Sequence, residues 1–164
     1  MKSLPRVVVF HLDVLVNKDA VPAEHVADFL LDVMRDEVTV VIATNKTAHQ
    51  ANQVLAALDP KFATLGAPNA RGIILVVCNA ETLGQRNVLI YAMEYGETRR
   101  FHDVVVVGRH YERDFATAHA QGCRLALFVC EATSRNEIRL MARHPRGFVA
   151  YRLEDIIAIL KTPL

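Results

Sequence analysis

The sequence predicts an α/β domain with three layers, αβα, around an open, doubly wound and mostly parallel sheet. Three observations carry that prediction. Six short apolar runs recur along the chain, rich in β-branched residues and continuous rather than alternating. Continuous runs of this kind mark strands buried on both faces. Stretches with helical period stand between runs, and the alternation β-α-β-α continues to the end of the chain, as parallel strands with helical crossovers require. The length, 164 residues, suits one domain with one core, so residues 1–164 are read as a single unit.

The first run, Val7–Phe10, is followed by a helical face of Val26, Phe29, Leu30, Val33 and Met34. The second, Val38–Ala43, precedes a face of Ala51, Val54, Leu55 and Leu58. Pro60, Gly66, Pro68 and Gly72 then punctuate a loop over 59–72. The run Ile73–Cys78 leads into a second loop, Ala80–Gln85. Val104–Val107, Leu125–Cys130 and Phe148–Tyr151 complete the set, and Leu153, Ile156, Ile157 and Leu160 form a last helical face. Arg99 and Arg100 read as a solvated turn, and Arg135, Arg139, Arg143 and Arg146 as a charged helix surface.

Composition narrows the function classes. Hydrophobic residues make up 52% of the chain, with only 7 Gly and 6 Pro, which excludes a disordered chain. A net charge of +1 supplies no electrostatic reason to expect nucleic acid or an anionic membrane. No apolar run approaches the ~20 residues of a membrane span, and Met1–Arg6 does not open a signal peptide. A cytoplasmic location is expected. Cys78, Cys123 and Cys130 lack the spacing of a zinc or redox pair and are expected to be core thiols.

In an open parallel sheet, ligands bind beyond the C-terminal ends of the strands. Those ends carry His11–Asp13, Thr44–Asn45, Cys78–Arg86 and Gly108–Asp114. The pattern is Rossmann-like. In its details, Phe10-His11-Leu12-Asp13-Val14-Leu15, then Thr44-Asn45, then Gly108-Arg109 through Asp114 and Ala120-Gln121-Gly122-Cys123, the chain resembles the haloacid dehalogenase superfamily of phosphohydrolases. The resemblance runs in order over nearly the whole chain. It implies a site with a nucleophilic Asp at position 11, a general acid/base Asp at 13, a phosphate-binding hydroxyl at 44, and acidic metal ligands at 109 and 114.

Two of those positions depart from the pattern. His11 stands at the nucleophile position and Arg109 at the first acidic position of the last motif, while Asp13, Thr44 and Asp114 match. The phosphate-steadying cation has no clean counterpart. Gln85 falls at its place, with Arg86 beside it as a substitute. Mg²⁺ wants oxygen ligands, so the Mg²⁺ site is expected to be lost, with no cofactor. Arg109 is expected to lie between Asp13 and Asp114 as a fixed substitute for the ion's charge. The span from Asp13 to Thr44 leaves no room for an inserted cap domain.

The resemblance therefore implies a catalytically degenerate domain kept for binding or for a structural partner role, with Thr44, Asn45 and Arg86 as candidate phosphate-binding residues. A phosphorylated small molecule or a protein is the expected partner, nucleic acid and membrane are not, and a homo-oligomer is left open. The alternatives are a phosphohydrolase rerouted through His11 or Asp13, and a phosphate or nucleotide sensor. His11, His110, Asp13 and Asp114 together would suit a transition metal, but Arg109 argues against it. Thr44 and Asn45 also read as the cap of a helix starting near Lys46, whose free N–H groups could hold an anion without catalysis. A receiver-type domain would need a phospho-accepting Asp after the third strand, and Cys78-Asn79-Ala80 supplies none.

Overall fold

β-Branched side chains pack well on a pleated surface, and Val7–His11 (β1), Val-Val-Val-Phe-His, is buried along its whole length. The computed structural model describes residues 4–16, 26–35, 37–58, 73–77 and 86–163. After β1 come a 3₁₀ turn, Leu12–Val14, and helix α1, Val26–Arg35. Then follow β2 (Thr39–Thr44), α2 (Ala48–Leu58), β3 (Ile73–Val77) and α3 (Arg86–Tyr95). A second 3₁₀ turn, Phe101–Asp103, leads to β4 (Val104–Gly108), α4 (Tyr111–Gln121) and β5 (Arg124–Phe128). The chain closes with α5 (Arg135–Arg143), β6 (Gly147–Ala150) and α6 (Leu153–Leu160).

All six strands are parallel, in the order β3-β2-β1-β4-β5-β6. The family resemblance implies a first strand lying between the second and fourth, and the sheet has that order. Phe10 pairs with Val107, so His11 and Gly108 end adjacent strands.

Side chains alternate across a strand, and the sheet therefore has two apolar faces. Val8, Phe10, Val40, Ile42, Val105 and Val107 meet α1, α2 and α6. Val7, Val9, Val41, Ala43, Val104 and Val106 meet α3, α4 and α5. Connections that step one way along the sheet thus share a face, and those that step the other way share the opposite face, as crossovers of one hand demand. Burying each Val or Leu side chain contributes about 1.5–3 kcal/mol, so both faces stabilise the sheet strongly. The direction of winding reverses between β1 and β4, and the crevice at that switch point is where ligands reach such a sheet.

Several expectations shift in detail. β2 ends at Thr44 rather than Ala43, and β5 begins at Arg124 and ends at Phe128. Cys123 is buried just before β5, where burial pushes its thiol up to about 12. Cys130 is not a core thiol. It lies half-buried past the strand, with its Sγ 3.4 Å from Thr133 Oγ1. Arg100 is more than a solvated turn, because its guanidinium donates to both oxygens of buried Asp103 at 2.9 and 3.0 Å. Arg135, Arg139 and Arg143 are exposed along α5, whereas Arg146 donates to the carbonyls of Cys123 and His119. Cys78 and the expected loops over 59–72 and 80–85 lie outside the described residues.

Candidate functional site

The crevice is built from three strand ends. β1 delivers His11, which is 6% exposed, and the 3₁₀ turn delivers Asp13. The His11 Nδ1 lies 3.1 Å from Asp13 Oδ2 and 3.2 Å from the Asp13 amide. One nitrogen can accept from the amide or donate to the carboxylate, not both, so the two contacts belong to different protonation forms of the ring. The hydrogen bond from His11 holds the Asp13 carboxyl below its ordinary value, against partial burial, which raises it. The charges of His11, Arg113 and Lys46 pull the same way as the hydrogen bond.

β2 delivers Thr44, buried at the strand end. Its Oγ1 accepts the Lys46 amide at 3.1 Å, a side-chain turn that closes the bend out of the sheet. The expected capping by Thr44 and Asn45 moves three residues on. Thr47 caps α2, its hydroxyl accepting from the Gln50 amide while Gln50 Oε1 accepts from the Thr47 amide. Asn45 is exposed. Arg86 opens α3, but its side chain and Gln85 lie outside the described residues.

β4 delivers Gly108 and then the turn into α4. Asp114 is fully buried and accepts the amides of Arg109 and His110 at 2.9 and 3.0 Å. It also accepts from Arg113 Nε at 2.8 Å, while Arg113 Nη2 lies 4.0 Å from Asp13 Oδ2. The guanidinium between the two carboxylates is therefore that of Arg113. Arg109 is held to Asp114 through its main chain, and its side-chain Nε is buried with no hydrogen-bond partner among the described residues. The sequence reading missed Arg113 and Lys46. The available signal was charge: the strand ends carry Lys46, Arg109 and Arg113 beside Asp13, Glu112 and Asp114.

No protein-family model matches the chain, and no curated protein matches it in sequence. Solved structures do match. A haloacid dehalogenase-like hydrolase from Streptococcus pneumoniae superposes with a TM-score of 0.64 at 10% identity, over 96% of this chain and 99% of that one. A p-nitrophenyl phosphatase from Archaeoglobus fulgidus gives 0.60 at 11% identity, over 95% and 99%. A haloacid dehalogenase-superfamily hydrolase from Ehrlichia chaffeensis gives 0.62 at 9%, over 96% and 97%. The chain has the haloacid dehalogenase-like fold.

That fold implies a Mg²⁺ ion at the crevice, and the residues present do not fit one. Mg²⁺ needs near-octahedral oxygen ligands. Asp114 is fully buried and already accepts two amides on Oδ2 and a guanidinium on Oδ1. The other retained carboxylate, Asp13, faces His11 and Arg113. An ion beside it would meet a fixed positive charge at short range, in a partly dry site where repulsion is poorly screened. What this arrangement can do is hold an anion or orient the His11 ring.

Proposed function

We propose that this haloacid dehalogenase-like domain does not run metal-dependent phosphoryl hydrolysis and acts by binding, with a phosphorylated small molecule or a protein as partner. One observation carries the reading: the Arg113 guanidinium stands between Asp13 and Asp114, where the metal route needs a divalent cation. His11 at the nucleophile position adds to it, because an imidazole cannot supply the aspartyl-phosphate chemistry of a carboxylate. Losing the metal removes several kcal/mol of charge stabilisation, and losing the nucleophile removes the covalent step, so each loss lowers the rate by orders of magnitude. None of the helices among the described residues is long and apolar enough to cross a membrane.

A second reading has its own support. The 3.1 Å contact between His11 and Asp13 is the kind of carboxylate-oriented imidazole that can attack or deprotonate. Assay of p-nitrophenyl phosphate with Mg²⁺ separates the two. Wild type is expected to turn over no faster than His11→Ala. Robust turnover that disappears in His11→Ala would overturn the binding reading and establish the rerouted hydrolase.

A further inference from the structure

Helices α3, α4 and α5 lie side by side on one face of the sheet, α3 over β1 and β2, α4 over β4 and β5, and α5 over β5 and β6. Beside α3 is an open groove of about 500 Å³, floored by Ile90, Met93 and Phe101 and rimmed by Glu94, Glu97 and Arg99. Two carboxylates there face one guanidinium, and the next cation along, Arg100, is committed to Asp103. On the other side of the layer α5 exposes Arg135, Arg139 and Arg143. Its one carboxylate, Glu137, is committed to the capping box and the Tyr111 amide. None of Glu94, Glu97, Arg139 and Arg143 has an ion pair among the described residues. Apolar exposure falls on the same two helices. Ile90 and Leu140 are each 40% exposed, one near the middle of α3 and the other near the middle of α5. Between them α4 exposes Ala116 and Ala120, side chains small enough for a second helix to approach closely. The exposed carboxylate of α4, Glu112, stands in its first turn, beyond that pair.

We propose that this layer is a homodimer contact, in which the α3 groove of each copy receives α5 of the other. A two-fold axis running along α4 lays the Ala116–Ala120 stripe on its own copy and carries each α3 over the second copy's α5. The acidic groove then meets the basic helix twice, as a self-complementary contact requires. An axis across the helices would instead set α3 on α3 and α5 on α5, with like charges opposed, which is costly. The axis along α4 also matches levels. All three helices run back from the crevice end of the sheet, so Glu94 and Arg143, each in the last turn of its helix, come to the same height. Ile90 and Leu140 meet about one turn earlier. The layer is about 15 Å long and about 30 Å wide, less than the ~800 Å² per partner of a standard interface. The dimer is therefore expected to be weak, with a dissociation constant on the order of 10 μM. It stands apart from the crevice and holds whether or not the crevice cleaves or binds a phosphate.

Sedimentation velocity of the intact protein from about 5 to about 500 μM, at low salt, tests this. A monomer–dimer equilibrium is expected, weaker at about 0.5 M salt because exposed charges are then screened. Leu140→Asp is expected to weaken the dimer at least about tenfold, since it places a charge in the apolar contact. Arg143→Glu and Glu94→Arg are each expected to weaken it about tenfold by opposing like charges. Both changes in one chain restore the pairing and are expected to recover most of the affinity. These positions are exposed, so the variants are expected to fold, with far-UV spectra like the wild type. If Leu140→Asp does not fold, Ile90→Ser takes its place with the same expectation. A chain that is monomeric at about 500 μM overturns the inference, whether the face is bare or reserved for a different protein. So does a dimer untouched by Leu140→Asp, or a charge swap that fails to recover what the single reversals lose. Assemblies that grow beyond the dimer with concentration would make the contact head-to-tail and overturn the two-fold arrangement.

Discussion

Asp114 is matched to the last acidic residue of a phosphohydrolase motif, yet its surroundings account for it without any reaction. A fully buried carboxylate is stable only when paired and hydrogen-bonded, and here two amides and the Arg113 guanidinium supply that. The contact also explains Gly108. A Cβ there would stand 2.6 Å from Asp114 Cβ and 2.7 Å from its Oδ2, so a side chain at 108 would push the carboxylate off its amides. Asp114→Ala strands both amides and the guanidinium together. It is expected to cost about 3–5 kcal/mol, read from the urea midpoint at constant slope. A loss below about 1 kcal/mol would show that Asp114 is not a structural anchor and would return it to the pool of functional residues.

At the scale of the element, α5 is fixed at both ends by side chains. At its start Ser134 and Glu137 form a reciprocal capping box, and Glu137 also accepts the Tyr111 amide at 3.2 Å, which ties α5 to the first turn of α4. At its end His144 accepts the Arg146 amide on Nδ1 at 3.0 Å and meets the His119 ring edge-on at 4.4 Å. Burial lowers the His144 imidazole below its ordinary value, and the nearby charges of His119 and Arg146 lower it further. A group depressed in the folded state contributes stability that is present above its unfolded value, near 6.5, and is lost as pH falls through the folded value. Protonation also removes the acceptor for Arg146. Denaturation midpoints are therefore expected to drop from pH 7 toward pH 5, and His144→Asn, which keeps an acceptor, to flatten part of that slope. An unchanged slope in the variant would remove His144 as its source.

Across the whole molecule, the end of the sheet opposite the crevice is closed by a buried cation. Arg124 opens β5 with no solvent exposure, donating to the carbonyls of His102 at 3.0 Å and Thr162 at 2.9 Å. Burial lowers its pKa, while the charge of Asp103 works to raise it. One side chain thus joins the turn before β4, the start of β5 and the chain after α6. Arg124→Met keeps most of the apolar stem and leaves both carbonyls without this donor. It is expected to cost about 3 kcal/mol and to speed amide exchange after α6. Unchanged exchange after α6 in a folded Arg124→Met protein would show that this side chain does not hold the chain end.

Periodicity alone determined the alternation of strands and helices and the burial of both sheet faces, because continuous β-branched runs have few other stable arrangements, whereas the neighbours of β1 followed from the resemblance of its strand ends to a known superfamily. The strand ends slipped by one or two residues where a polar residue belonged to the strand, as with Thr44 and Arg124, or where apolar residues ran on past the last register pair with β6, Phe128 with Ala150. The crevice was legible as a set of residues, His11, Asp13, Thr44, Arg109 and Asp114, since strand order brings their positions to one end of the sheet. Which of its cations neutralises which carboxylate was not legible. Arg109 and Arg113 are four residues apart on the same turn into α4, and a sequence pattern cannot say which long, flexible side chain reaches across to Asp13. Only the tertiary structure decided that, because the amide contacts of Asp114 fix the turn, set Arg113 between the two carboxylates and leave the Arg109 Nε buried without an acceptor among the described residues.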